Sequence, residues 1–216
     1  MKQSFTVLAA PPPFLLTAHF SCTSQRVTPA FDKTALRQRM RRLRRSLAAA
    51  APDAGFRAAE ALPLEALPDG PVAVYYAQGS ELDPTPLAER LAAAGRTVAL
   101  PAAQARDGRL QFRRWRIGEA LEADAVGVPA PGAAAEAVTP RVVVTPLVAY
   151  DARGGRLGQG GGHYDRTLEN LRAAGPVFVL GLAYAGQAVD EIPMEPHDQR
   201  LDAILTEAGY QPVEKD

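Results

Sequence analysis

The residues best suited to chemistry in this chain lie between Val142 and Leu168, VVVTPLVAYDARGGRLGQGGGHYDRTL. Gly154, Gly155, Gly158, Gly160, Gly161 and Gly162 surround Arg156, and His163-Tyr164-Asp165-Arg166 follows at once. Glycine lets backbone N–H groups approach a ligand and point inward, and a helix that begins just after them adds positive potential. Arg156 and Arg166 flank the loop with fixed charge. The stretch reads as a phosphate cradle. Asp165, at the helix start, could hold Mg²⁺, which binds through one or two carboxylates plus substrate phosphates. Two plainer readings stay open on these residues: glycine runs are often mere connections, and an Asp is favoured in any first helical turn. The loop is not a Walker loop, since no Lys-Ser/Thr follows its glycines, and its spacing fails G-x-G-x-x-G.

The elements that must position this loop can be read from hydrophobic period. Val142-Val143-Val144 is a strand buried on both faces, broken at Pro146, and a helix starts near His163. From Lys33 a helix capped by Asp32 carries an apolar stripe, Leu36, Met40, Leu43 and Leu47. Its other faces carry Lys33, Arg37, Arg39, Arg41, Arg42, Arg44 and Arg45. Such a run reads first as a solvated face, with a nucleic-acid patch or phosphate-directed cations as the alternatives. Lys33 and Arg37 are one turn apart, so both could reach one polyphosphate. An Ala-rich helix follows Pro52. Residues 71–77 form a strand, 86–94 a helix stopped by Gly95, and 97–101 a second strand, which makes a right-handed parallel βαβ unit. Ligands of such sheets bind beyond the carboxyl ends of the strands, where Tyr76 and Glu81 fall. Glu81 can equally be a plain first-turn carboxylate. Leu110–Trp115 alternates as a half-exposed antiparallel strand, and 118–140 is a long surface connection. Val177–Leu182 and Leu201–Leu205 are further strands, with 190–198 acidic and irregular and 210–216 a tail. The sum is an α/β fold: an open, mostly parallel, doubly wound sheet with helices on both faces, in a single domain.

Composition limits the partners. The chain has 216 residues, with Lys+Arg 24 balanced by Asp+Glu 24. That neutrality argues for neither a nucleic-acid nor a membrane partner; a small-molecule substrate and a monomer are the expectation. Cys22 is the single cysteine, so no internal disulfide is possible, which fits a cytoplasmic protein. Residues 1–30, interrupted by Pro11-Pro12-Pro13, fit neither a membrane span nor a signal peptide and read as a disordered or extraneous leader. The folded domain is then 31–210, with 211–216 as its tail.

The order of an apolar strand, Pro146, Tyr150-Asp151, Gly155-Arg156-Leu157-Gly158, Gly160-Gly161-Gly162 and Tyr164-Asp165-Arg166 resembles the signature of the 5-formyltetrahydrofolate cyclo-ligase family. The likeness runs from Lys33 to about Glu207. It implies ATP and Mg²⁺ as cofactors and a reduced folate as substrate. Lys33-x-x-Leu36-Arg37 resembles the family's N-terminal nucleotide motif, which implies Lys33 and Arg37 on ATP phosphates. Arg156, Leu157, Gly158, Gln159, Gly160, Gly161, Gly162, His163 and Tyr164 match its main ATP loop, with Arg156 and Lys33 implied as the catalytic cations. Gly79-Ser80-Glu81-Leu82-Asp83-x-Thr85 resembles the folate-holding segment, which puts Glu81 and Tyr76 on the substrate side. Asp165 matches a magnesium ligand, and His197-Asp198-x-x-Leu201-Asp202 implies Asp198 as the second. Gly161 stands where some members carry a lysine, which leaves more phosphate charge to Arg156. His163 stands where an aromatic is usual and can stack or hydrogen-bond.

The implied reaction suits these residue types. The formyl oxygen on N5 takes the γ-phosphoryl group of ATP and becomes a leaving group. N10 then attacks the formyl carbon, and phosphate departs to give 5,10-methenyltetrahydrofolate. Phosphoryl transfer needs positioning and charge neutralisation, not a covalent nucleophile. Two rivals remain. Another ATP- or phosphosugar-using enzyme on the same sheet would keep the loop and have no use for Glu81. A nucleic-acid module would act through the arginines, which on the sequence ring the helix, and would bind with steep salt dependence.

Overall fold

Short runs of Val, Leu and Ala build the centre of the fold as strands, and the strands stay buried because helices cover both faces. In chain order the elements are α1 (Lys33–Ala50), α2 (Ala54–Ala61), β1 (Val72–Ala73), α3 (Thr85–Ala93), β2 (Val98–Ala103), β3 (Leu110–Arg114), β4 (Glu122–Ala123), β5 (Pro129–Ala130), β6 (Val142–Pro146), β7 (Ala149–Tyr150), β8 (Arg156–Leu157), α4 (His163–Ala174), β9 (Phe178–Leu182), β10 (Ala203–Thr206) and β11 (Gly209–Pro212). The structure is a computed structural model and describes residues 32–106 and 108–214. The leader assigned to residues 1–30 lies outside them.

Seven strands form one sheet in the order β11-β10-β9-β6-β1-β2-β3. The pairs β10/β9, β9/β6, β6/β1 and β1/β2 are parallel, and the edge strands β11 and β3 pair antiparallel. The expected open, mostly parallel sheet is therefore present. Strand alternation divides the core. Val72, Val142, Val144 and Leu180 face one way and pack with Ala54 and Ala58 of α2 and Leu87 and Leu91 of α3. Ala73, Val143, Val179 and Ile204 face the other way and pack with Leu168 of α4. A third cluster joins Met40 of α1 to Val148, Leu157 and Ile192.

Several expectations need correction. The strand expected over 71–77 keeps ladder pairing only at Val72–Ala73, after which the chain leaves the sheet to wall the cleft. Pro146 ends β6 and does not break it, pairing opposite Leu182, because a strand terminus tolerates the missing donor. The long connection 118–140 contains the β4/β5 hairpin, closed by Asp124, whose Oδ1 accepts from Val126 N and Val128 N. The tail begins as a strand: β10 turns at Gly209 (φ +148°) and pairs with β11.

Candidate active site

Strand order fixes where a ligand can sit. From β1 the chain steps to β2 on one side, and from β6 it steps to β9 and β10 on the other. The connections thus diverge between β1 and β6, and the crevice beyond their carboxyl ends is the preferred ligand site of such sheets. A cleft of about 330 Å³ opens there, lined by Tyr75 and Tyr76 after β1 and by Pro146 at the end of β6. That volume sits at the lower end of the roughly 300–1,000 Å³ of small-molecule pockets.

The glycine loop forms one wall. Gly160 (φ +106°) and Gly162 (φ +67°) take backbone angles that side chains resist, which turns the chain sharply into α4. Gly162 is the N-cap of this helix and offers no side-chain cap. The first turn of α4 thus starts without a capping side chain at a wall of the cleft, the arrangement that favours an anion. Arg156 lies beneath, its side chain 3% exposed, with Nη2 donating to Asp165 Oδ1 at 2.5 Å. Its Nε is buried without a hydrogen-bond partner. A buried charged donor left unmatched costs stability, so an acceptor oxygen brought by a ligand would satisfy it. His163 Nδ1 bonds the carbonyl of Gly108 at 2.9 Å, so this ring hydrogen-bonds to the β2–β3 connection.

Helix α1 forms the second wall. Asp32 caps it as expected, accepting from Thr34 N and Ala35 N. Lys33 Nζ donates to Glu195 at 2.8 Å and to Asp198 Oδ2 at 2.9 Å, which draws the acidic 190–198 segment against the cleft. Burial alone would lower the Lys33 pKa, but the hydrogen bonds and charges of Glu195 and Asp198 outweigh it, and the net shift is upward. For Asp198 burial pushes up, while the Glu195 N–H and Lys33 pull harder, and the net shift is downward. Arg37 Nε donates to the carbonyl of Gly158 at 3.0 Å, and Arg41 reaches both the side chain and the carbonyl of Gln159.

The third wall carries Glu81. Its side chain is 6% exposed and takes Gln78 N at 3.0 Å, Gln159 Nε2 at 3.2 Å and Arg44 Nη1 at 3.5 Å. Tyr76 stands beside it, 42% exposed, a flat apolar surface for a ring. Tyr164 is half-buried, and desolvation followed by the Glu81 charge raises its pKa, so its hydroxyl stays protonated. Arg44 is only 5% exposed and also bonds Ser80 Oγ and the Leu147 carbonyl. The reading of the arginines as a solvated ring is thus wrong for Arg37, Arg41 and Arg44. They recur at helical spacing and turn inward together.

The 5-formyltetrahydrofolate cyclo-ligase family model matches residues 30–207. The chain belongs to this family. The 5-formyltetrahydrofolate cyclo-ligase of Escherichia coli K12 is 38% identical over 140 residues, which span 62% of this chain and 76% of that protein. The Mycolicibacterium smegmatis protein of the same name is 35% identical over 144 residues, 62% of this chain and 72% of that protein. Among solved structures, 5,10-methenyltetrahydrofolate synthetase of Aquifex aeolicus superposes with TM-score 0.68 at 26% identity, covering 85% of this chain and 94% of that one.

The cyclo-ligase cleft gathers the residues singled out in the sequence. Lys33, Arg37, Tyr76, Glu81, Arg156 through Asp165, and Asp198 all line it. Sequence reading missed Arg44 and Arg41, although Lys33, Arg37, Arg41 and Arg44 recur at the spacing of one helical face. It also missed Glu195, which shares Lys33 with Asp198. Among the described residues no three acids, histidines or cysteines cluster as a metal cage. Asp165 and Asp198 nonetheless fit Mg²⁺, which takes hard oxygen donors, one or two carboxylates and the phosphates of a bound substrate. Each offers one carboxylate oxygen to a cation of the cleft wall, Asp165 to Arg156 and Asp198 to Lys33. No helix among the described residues is long and apolar enough to cross a membrane.

Proposed function

We propose that this chain converts 5-formyltetrahydrofolate to 5,10-methenyltetrahydrofolate with consumption of ATP and release of ADP and phosphate. The observation that supports it best is the meeting in one cleft of an uncapped helix N-terminus over Arg156 with a buried, hydrogen-bonded Glu81. The first suits a polyphosphate, and the second suits the N–H groups of a reduced pterin. The first-turn amides of α4, Arg156 and Lys33 bind and orient the triphosphate and balance the charge that spreads over the transferring group. Glu81 accepts N–H hydrogens of the folate, and Tyr76 packs against its ring. The folate is thereby turned so that its formyl oxygen meets the γ-phosphorus. The bond to the ADP oxygen breaks as the formyl oxygen forms its own. N10 then bonds the formyl carbon, the carbon–oxygen bond breaks with phosphate leaving, and the N10 proton is lost. Asp165 and Asp198 would hold Mg²⁺, which would supply charge neutralisation for the phosphate groups.

The test is the near-ultraviolet absorbance of the methenyl product on mixing protein, 5-formyltetrahydrofolate, ATP and Mg²⁺. Product formation that needs ATP and collapses in Glu81→Gln is the expected result. A folded protein that forms no product refutes the reading.

A further inference from the structure

The side-chain amide of Gln159 stands between two opposite charges. Its Oε1 accepts from Arg41 Nε at 2.9 Å, and its Nε2 donates to Glu81 Oε1 at 3.2 Å. A guanidinium only donates and a carboxylate only accepts, so the amide orientation is forced. An amide is the side-chain group of this length that can accept at one end and donate at the other. A glutamate would oppose Glu81, and a lysine or arginine would oppose Arg41. The backbone of Gln159 is fixed as well, its carbonyl taking Arg41 Nη2 at 3.0 Å, while the neighbouring Gly158 carbonyl takes Arg37. Gln159 therefore belongs to the glycine loop by its main chain and to the Glu81 wall by its side chain.

We propose that Gln159 is a positioning residue for Glu81 that couples the two ends of the cleft, so that filling the glycine loop fixes the Glu81 carboxylate for the second substrate. The inference rests on the reading of the loop as the nucleotide end and of Glu81 as the folate contact. A phosphate held by the loop immobilises residues 158–162, and with them the amide that aims Glu81. Folate then binds a carboxylate already ordered, and by linkage it tightens nucleotide binding by the same factor.

The experiment is calorimetric titration with 5-formyltetrahydrofolate, alone and in the presence of a saturating non-hydrolysable ATP analogue. In the unaltered protein the analogue should tighten folate binding by about 5-fold or more, the lower range of coupling between sites. Gln159→Met, of similar length with no hydrogen bond to give, should bring that factor down to about 1. Arg41→Ala should lower it partway, because it frees the other end of the amide. In steady-state assays Gln159→Glu should raise the folate KM by at least roughly tenfold and the ATP KM much less, because a hydrogen bond to Glu81 is lost and a second carboxylate opposes it. Equal coupling in the parent and both variants overturns the proposal. So does a parallel rise of both KM values with a lowered melting temperature, the pattern of a merely structural loop residue. A folate titration that is flat in the unaltered protein refutes the functional reading itself, and this inference with it.

Discussion

Asp151 tests how the fold holds its acidic arm against the cleft. Its carboxylate is 2% exposed and accepts from three backbone donors. Oδ1 takes Gly155 N at 2.8 Å and Arg153 N at 3.0 Å, and Oδ2 takes Ile192 N at 2.8 Å. The first two close the turn that starts the glycine loop. The third ties that turn to the 190–198 segment, which carries Glu195 and Asp198. In Asp151→Asn the amide keeps its oxygen toward the two donors of the turn, so its NH₂ group meets the Ile192 N–H. The Ile192 N–H and an amide N–H then face each other unmatched, at a cost of at least about 1–3 kcal/mol. For a chain of this size that corresponds to a fall in Tm of roughly 2–12 °C. The loss falls on the arm, so exchange of the Ile192 amide should accelerate, while exchange of the Gly155 amide should track the global loss of stability. Thermal melts and amide hydrogen exchange measure the two effects. If Asp151→Asn melts with the parent and Ile192 exchanges at its old rate, the hydrogen bond is not what anchors the arm.

Further outcomes follow from the same contacts. Gly155→Ala should destabilise at least as much as Asp151→Asn in a thermal melt, because its Cβ would stand 2.3 Å from Asp151 Oδ2. Gly160→Ala forces an L side chain to φ +106°; it should lower stability by about 1–3 kcal/mol in denaturant melts and raise the ATP KM. The Lys33–Asp198 pair predicts a pH window. Asp198 titrates below its ordinary 3.8, so its stabilisation is present above 3.8 and lost as pH falls through the lower folded value. Lys33 titrates above its ordinary 10.5, so its stabilisation is full below 10.5 and lost as pH rises through the higher folded value. Denaturant melts of the parent and Lys33→Met should therefore differ most between those values and converge outside them.

Much of the fold was legible because buried parallel strands have a loud signature. Val142–Val144 and Phe178–Leu182 are nearly unbroken apolar runs, and the structure makes both central strands. Gly209–Pro212 is quiet by comparison: Gly-Tyr-Gln-Pro has no alternation, and its pairing comes from the turn after Thr206. The glycine loop announced itself by composition, as did the order of its helix. What sequence could not rank was the arginine-rich helix. Seven basic residues within about four turns look alike until the packing of Met40 against Val148 and Leu157 sets the helix rotation. That rotation alone sends Arg37, Arg41 and Arg44 inward and leaves Arg39, Arg42 and Arg45 outside.

The same rotation explains how one helix can order the walls of the cleft. Successive turns of α1 present Lys33 to the acidic arm, Arg37 to Gly158, Arg41 to Gln159 and Arg44 to Glu81. The four cations hold three segments, with Arg37 and Arg41 both on the glycine loop, and those segments come from connections far apart in the chain. The arrangement costs desolvation, and a buried pair such as Arg44–Glu81 is weak grounds for stability. Its return is geometric. The phosphoryl transfer and ring closure proposed above would demand that two substrates be held to within fractions of an ångström, and a rigid helix is a better ruler for that purpose than a loop. Arg44→Met leaves the Glu81 carboxylate without its cation and should lower Tm; folate kcat/KM should fall beyond that loss, at temperatures where the variant is fully folded, because Glu81 also loses its aim. Paired melting and steady-state measurements decide this, and a variant whose lost activity is fully explained by its lost stability would refute the view of α1 as the ruler of the site.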